Sequence, residues 1–70
     1  MKLKIREDYI KLDSLLKLSG LCDTGGFAKS VILDGEVTVN GEVCLQRGKK
    51  IRKGDKVIFA GETLEVENDG

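Results

Sequence analysis

Histidine is absent from this sequence, and cysteine occurs only twice, at Cys22 and Cys44. Without histidine and without a Cys-x-x-Cys pair, a structural zinc site lacks its usual ligands. Most enzyme mechanisms also lose their usual proton carrier. Two cysteines are too few for a disulfide scaffold, which favours a reducing, cytoplasmic location, although the sequence leaves a Cys22–Cys44 disulfide open. We therefore expect a non-enzymatic protein with no catalytic residues, no metal and no cofactor.

Long apolar runs are absent as well. No stretch approaches the ~18 apolar residues that a membrane-spanning helix needs, and the amino terminus has no charged-then-apolar signal pattern. The composition, with 40% hydrophobic and 34% charged residues, is typical of a globular protein. We expect a single domain over residues 1–70, acting as a monomer without a membrane partner or a small-molecule substrate.

The charges are balanced overall but unevenly distributed along the chain. Twelve basic residues match twelve acidic ones, yet the ten residues from Arg47 to Lys56 contain six bases and one acid, Asp55. The segment from Glu62 to the carboxyl terminus contains four acids and no base. A neutral sum can hide a local positive patch that attracts phosphates. The alternative for the basic run is a solvated turn, the ordinary role of exposed lysines.

Two consecutive helices are predicted in the first half of the chain. Helical spacing begins near Lys11, and the residues that share one face are Leu12, Leu15, Leu16 and Ser19. Gly20 is a plausible stop. Asp23 or Thr24 can cap a second helix, whose apolar residues are Phe27, Ala28, Val31 and Ile32, and Gly35 ends it. The predicted ranges are 12–19 and 25–34.

The remaining segments have the alternation of strands. Residues 1–10 alternate loosely, and Val37 and Val39 precede Asn40-Gly41, the strongest short hairpin signal. The predicted return strand includes residues 43–45, and a second hairpin joins residues 57–59 to residues 64–66. The order predicts an α+β fold: a strand, two consecutive helices, then two β-hairpins in a small, mainly antiparallel sheet.

A glycine-rich corner, Asp23 to Ser30, separates the two predicted helices. A phosphate-binding loop does not fit, because Phe27 and Ala28 separate the glycines from Lys29 and because a helix precedes the corner. Two interpretations remain open. The bare helix N-terminus can receive a phosphate, reinforced by Lys29, or the glycines serve only a tight steric corner.

These motifs together are similar to one known family. The matching residues are Lys11-Leu12-Asp13, Thr24, Ala28-Lys29, Ile32, Gly35, Val37-Thr38-Val39-Asn40-Gly41 and Gly54-Asp55-Lys56-Val57. In that spacing, which is ungapped from residue 11 to residue 41, the chain resembles the small RNA-binding domain named after ribosomal small-subunit protein four. We call it the S-four-type domain; its helix pair is the αL motif. The phrases Leu16-Lys17-Leu18, Asp23-Thr24-Gly25-Gly26 and Val39-Asn40-Gly41-Glu42-Val43 look most like the free-standing YaaA/YbcJ kind.

The resemblance implies non-enzymatic binding of structured RNA, ribosomal or otherwise folded, by the two helices and the adjacent loop. The implied RNA-binding residues are Lys11, Asp13, Ser14, Thr24, Gly25, Gly26, Lys29, Asn40, Arg47, Lys49, Lys50, Arg52 and Lys53. Gly25 stands where the wider family often has arginine, so one expected phosphate contact is missing. The alternative function is a protein-interaction module whose basic loop docks an acidic partner.

Aromatic residues are few: Tyr9, Phe27 and Phe59. Core packing is the predicted role of both phenylalanines, which disfavours single-strand binding by base stacking. A sulfur-carrier role is rejected because two consecutive helices do not fit the ubiquitin-like order of elements.

Overall fold

The structure, a computed structural model, describes residues 1–68. Asp69, the last residue of the acidic segment, lies outside the described residues. Within them the chain forms two helices and seven strands. In chain order these are β1 (Lys2–Ile5), β2 (Ile10–Lys11), α1 (Leu12–Leu18), α2 (Gly25–Leu33), β3 (Thr38–Val39), β4 (Glu42–Val43), β5 (Lys50–Ile51), β6 (Lys56–Phe59) and β7 (Glu62–Asn68).

Five of these strands form one sheet in the order β1-β7-β6-β3-β4. Its strands pair antiparallel except for β1 and β7, which are parallel. The hairpins β3–β4 and β6–β7 are the two that the sequence predicts, and the α+β fold is confirmed. Strands β2 and β5 form a separate antiparallel pair.

The strands differ most from the prediction at the start of the chain, in the return strand β4 and in β5, which the sequence did not predict. Residues 2–11 form two strands rather than one, because β1 pairs with β7 whereas β2 pairs with β5. The return strand β4 ends at Val43, although the Cys44 amide still donates to the Val37 carbonyl. Beyond it the chain leaves the sheet, and the backbone carbonyls of Arg47 and Lys49 bind the start of α1 instead.

The helices end one residue earlier than predicted, with Ser19 and Asp34 as their C-caps. Thr24 caps α2, since its Oγ1 accepts a hydrogen bond of 3.0 Å from the Phe27 amide. Gly35 follows α2 with φ of +79°, the left-handed conformation that favours glycine after a helix. The predicted start and stop signals of α2 are therefore confirmed.

The core lies between the helix pair and one face of the sheet. Its fully covered side chains include Leu12, Leu15, Leu16, Ile32, Val37, Ile51, Val57 and Leu64. Phe59 joins this core, as predicted. Phe27 does not: it is 50% exposed, because it lies at the margin of the buried stripe of α2 that Ala28, Val31 and Ile32 form. The prediction of a core role for Phe27 was wrong.

Neither helix within residues 1–68 is long and apolar enough to cross a membrane.

Candidate nucleic-acid interface

The basic segment, residues 47–53, is fastened to the start of α1 by backbone hydrogen bonds. The Leu12 amide donates to the Lys49 carbonyl at 2.9 Å, and the Asp13 amide donates to the Arg47 carbonyl at 3.1 Å. Helix N-termini leave their first amides without intrahelical acceptors, so these bonds satisfy two of them. The pairing of β2 with β5 places Lys11 opposite Lys50. Sequence positions almost forty residues apart therefore share one surface.

Tyr9 lies at the centre of this junction. The Lys50 Nζ is 4.9 Å from the centroid of the Tyr9 ring, and the Arg52 Cζ is 5.8 Å from it. Both distances fall within the range of cation–π attraction. The ring therefore holds two basic side chains near Lys11. Sequence reasoning missed this role of Tyr9, because a pair of two-residue strands leaves no readable periodicity.

The first turn of α1 presents Ser14 beside Lys11. The Asp13 carboxylate accepts hydrogen bonds from the Ser14 amide at 2.7 Å and from the Ser14 hydroxyl at 3.5 Å. Asp13 therefore orients its neighbour. Next to this turn is an open groove of about 410 Å³, which we call the Tyr9 groove. It is lined by Lys4, Ile5, Arg6, Glu7, Tyr9, Ile10, Lys11, Ser14 and Leu18.

The N-terminus of α2 has a lysine over it that the sequence prediction did not include. The side-chain Cδ of Lys17 lies 4.0 Å from the position that a Cβ atom on Gly25 would occupy. Among the described residues, the amides of Gly25 and Gly26 have no hydrogen-bond acceptor. Lys29 follows one helical turn later and is exposed. The sequence did offer a signal for Lys17: it follows Ser14 by three residues on the same helix, so the two side chains are neighbours on the helix surface.

Asn40 uses both polar atoms of its side chain within the fold. Its Nδ2 donates to the Asp55 carboxylate at 3.0 Å, and its Oδ1 accepts from the Lys56 amide at 3.0 Å. The other Asp55 oxygen accepts from the Arg52 amide at 2.9 Å. These bonds join the first hairpin to the turn before β6, which is a structural role. Contact between Asn40 and RNA stays a prediction.

The hydrogen bonds of the Asp55 carboxylate predict that the folded protein loses stability in acid. The Arg52 amide first, and then the Asn40 side chain, hold the pKa of Asp55 below its ordinary value of 3.8. A carboxyl with a lowered folded-state pKa stabilises the fold fully above its unfolded pKa and loses that contribution as the pH falls through the folded pKa. We expect Asp55→Asn to cost about 1 kcal/mol at neutral pH and to lose less stability than the parent below pH ~4. Urea unfolding across the acid range measures both; parallel decline of the two proteins would contradict this role.

Lys53, the last predicted member of the basic segment, has different surroundings. It lines a second groove with Lys2, Gly54, Asp55, Lys56, Glu65, Val66 and Glu67. In that groove Lys2 pairs with Glu67 at 3.6 Å. The structure therefore places Lys53 beside the acidic strand β7 and does not bring it into the Tyr9 groove.

Both cysteines are free thiols, so the disulfide that the sequence left open is not formed. Cys22 is buried in the core. Burial first, and the neighbouring charge of Asp23 second, raise the pKa of the Cys22 thiol above its ordinary value of 9.0. A neutral, buried thiol is a packing group rather than a nucleophile.

The fold and its helix pair define a known class. Residues 3–67 match the model of the S4 domain, and the chain belongs to that family, the S-four-type domain of the sequence analysis. The predicted family is therefore confirmed.

Curated relatives and a solved structure agree with this assignment. The chain is 38% identical over 61 residues to "Putative RNA-binding protein YbcJ" of Escherichia coli (strain K12). This match covers 87% of each chain. It is 37% identical to "Probable ribosome maturation protein RlbA" of Bacillus subtilis (strain 168), over 84% of this chain and 83% of the relative. The solution structure of E. coli YbcJ, described as having an αL motif involved in RNA binding, matches with a TM-score of 0.70 at 35% identity. That match covers 93% of this chain and 84% of the other.

Proposed function

We propose that this protein binds folded RNA, ribosomal or otherwise, without catalysing a reaction. The binding surface, which we call the αL surface, comprises Lys11, Ser14, Lys17, Gly25, Gly26, Lys29, Arg47, Lys49, Lys50 and Arg52. The observation that carries the proposal is the backbone bonding of Arg47 and Lys49 to the start of α1. It joins the basic segment and the helix pair into one surface.

The charge of the αL surface supports an RNA ligand. Its seven lysine and arginine side chains are all exposed. Two acids lie beside them: Asp13, which binds Ser14, and Asp55, whose charge attracts Lys49 and Arg52. Folded RNA is recognised largely through its backbone and shape, and basic side chains that contact phosphates supply most of the affinity. The names of the relatives, one RNA-binding and one for ribosome maturation, point to the same ligand class.

The direct test is a binding titration at increasing salt concentration. Fluorescence anisotropy would follow a labelled RNA hairpin, with polyglutamate as the acidic-protein competitor. We expect the RNA to bind with a log affinity that falls linearly with log salt, by roughly 0.7–0.9 per phosphate contact. Binding of polyglutamate but of no folded RNA, including ribosomal fragments, would overturn the proposal in favour of an acidic protein partner. If folded RNA does bind, crosslinking in cells would identify which RNA it is.

A second prediction concerns the corner between α1 and α2. The amides of Gly25 and Gly26, which have no acceptor among the described residues, and the Lys17 side chain beside Gly25 are suited to one phosphate of the bound RNA. Saturating RNA should therefore shift the amide resonances of Gly25, Gly26 and Lys29 in a two-dimensional NMR spectrum. If RNA binds while these resonances stay in place, the corner does not contact the RNA.

A further inference from the structure

The Tyr9 groove has features that phosphate binding alone does not explain. We propose that this groove takes one unpaired nucleotide of the bound RNA, with its base against apolar lining residues and its phosphate on basic ones. The inference rests on the proposed function and adds to it which structural element of the RNA is recognised.

The apolar residues that line the groove suit the flat face of a base. They include Tyr9, Ile10 and Leu18. Leu18 is 52% exposed at the end of α1, whereas Leu12, Leu15 and Leu16 of the same helix are fully covered. Folding therefore leaves Leu18 with apolar surface that a partner can cover. Unstacked RNA bases are commonly bound by aromatic and apolar side chains in this manner.

The basic residues that line the groove suit a phosphate. They are Lys4, Arg6 and Lys11, against one acid, Glu7. The volume of about 410 Å³ lies in the range of sites that bind small ligands of nucleotide size. Ser14 supplies a hydroxyl, and Glu7 a carboxylate, for hydrogen bonds with the polar edge of a base.

The groove is continuous with the αL surface. This continuity indicates which kind of RNA the protein binds. Lys11 and Ser14 belong to both, and the ring of Tyr9 carries Lys50 and Arg52 of the αL surface. A nucleotide in the groove is therefore connected to phosphates bound along α1. In an uninterrupted RNA helix the bases are stacked and inaccessible. The geometry accordingly favours a helix that carries a bulged or flanking unpaired nucleotide.

The experiment compares two RNA hairpins with the same stem, one of which has a single bulged 2-aminopurine. We expect the bulged hairpin to bind about tenfold more tightly, since stacking on an aromatic side chain strengthens binding on that order. Its 2-aminopurine fluorescence should change on binding. Leu18→Ala should reduce that preference severalfold, while binding of the fully paired hairpin stays within about twofold of the parent. Tyr9→Leu should also reduce the preference, together with some loss of paired-hairpin binding, because the Tyr9 ring holds Lys50 and Arg52.

Phe27→Ala is the matched control. Phe27 is 50% exposed, like Leu18, but it does not line the groove; the bulge preference should therefore survive its replacement. Equal binding of both hairpins by the parent protein would overturn the inference and leave the proposed function supported. A bulge preference that persists in both groove variants would also overturn it, because the nucleotide then binds elsewhere. Binding of neither hairpin would overturn the inference and count against the proposed function.

Discussion

Replacing Leu16 with alanine is expected to lower the free energy of unfolding by about 2–5 kcal/mol, the usual cost of emptying a well-packed leucine site. Leu16 lies on the buried face of α1 and is fully covered by the rest of the core. Its backbone carbonyl also accepts hydrogen bonds from the Ser19 hydroxyl at 2.7 Å and from the Cys22 amide at 3.3 Å. A cavity at this position therefore lies directly under the turn that leads to α2.

The size of the effect is large for so small a protein. At roughly 0.05–0.15 kcal/mol per residue, a chain of this length has a total stability of about 4–10 kcal/mol. A loss of 2–5 kcal/mol would lower the melting temperature by roughly 10–30 °C. Urea unfolding followed by circular dichroism, with thermal melts alongside, measures both quantities.

Leu18 provides the matched control on the same helix. It is the same residue type but half exposed, so Leu18→Ala should change the free energy of unfolding by only about 0.5 kcal/mol. This small effect also makes Leu18→Ala suitable as a binding variant. A loss below about 0.5 kcal/mol at Leu16 would contradict the assignment of the buried helix face.

The parts of the fold that follow from local signals were predictable from the sequence. The leucine spacing of α1, the cap at Thr24 and the left-handed glycine after α2 each act within a few residues. Asn40 and Gly41, with φ of +52° and +86°, adopt the turn that their sequence favours. Such signals are readable because they act between residues that are close in the sequence.

The parts that the sequence analysis missed depend on contacts between distant residues. Strands β2 and β5 have two residues each, too few for a pattern, yet their pairing brings Tyr9 to Lys50 and Arg52. The bond between Asn40 and Asp55 spans fifteen residues. A charge count along the chain groups Lys53 with its neighbours, whereas in the structure it lines a groove with Glu65 and Glu67; its contact with RNA stays a prediction.

The αL surface is tested most sharply by replacing Lys49 and Lys50 together with alanine. If both lysines contact phosphates, the slope of log affinity against log salt should flatten by about 1–2 units, and affinity at about 0.1 M salt should fall on the order of tenfold. The loss should be similar for all bound RNAs, because phosphate contacts carry no sequence information. Salt titration of each variant measures the slope.

The double variant should remain folded. Both side chains are exposed, and the hydrogen bonds that fasten this segment to α1 come from backbone atoms, which alanine retains. Exposed lysines contribute little to folding stability. Unfolding measurements within about 0.5 kcal/mol of the parent would show that a lost affinity reflects lost contacts.

The charge-matched control is the replacement of Lys2 and Lys56 with alanine. It removes the same two positive charges from exposed positions, but these lysines line the groove that contains Glu65 and Glu67. A uniform effect of net charge would weaken RNA binding equally in both double variants. We expect instead that only the Lys49/Lys50 variant flattens the salt slope, because only that pair adjoins α1. Equal slopes in the two variants would mean that the αL surface is not where the phosphates bind.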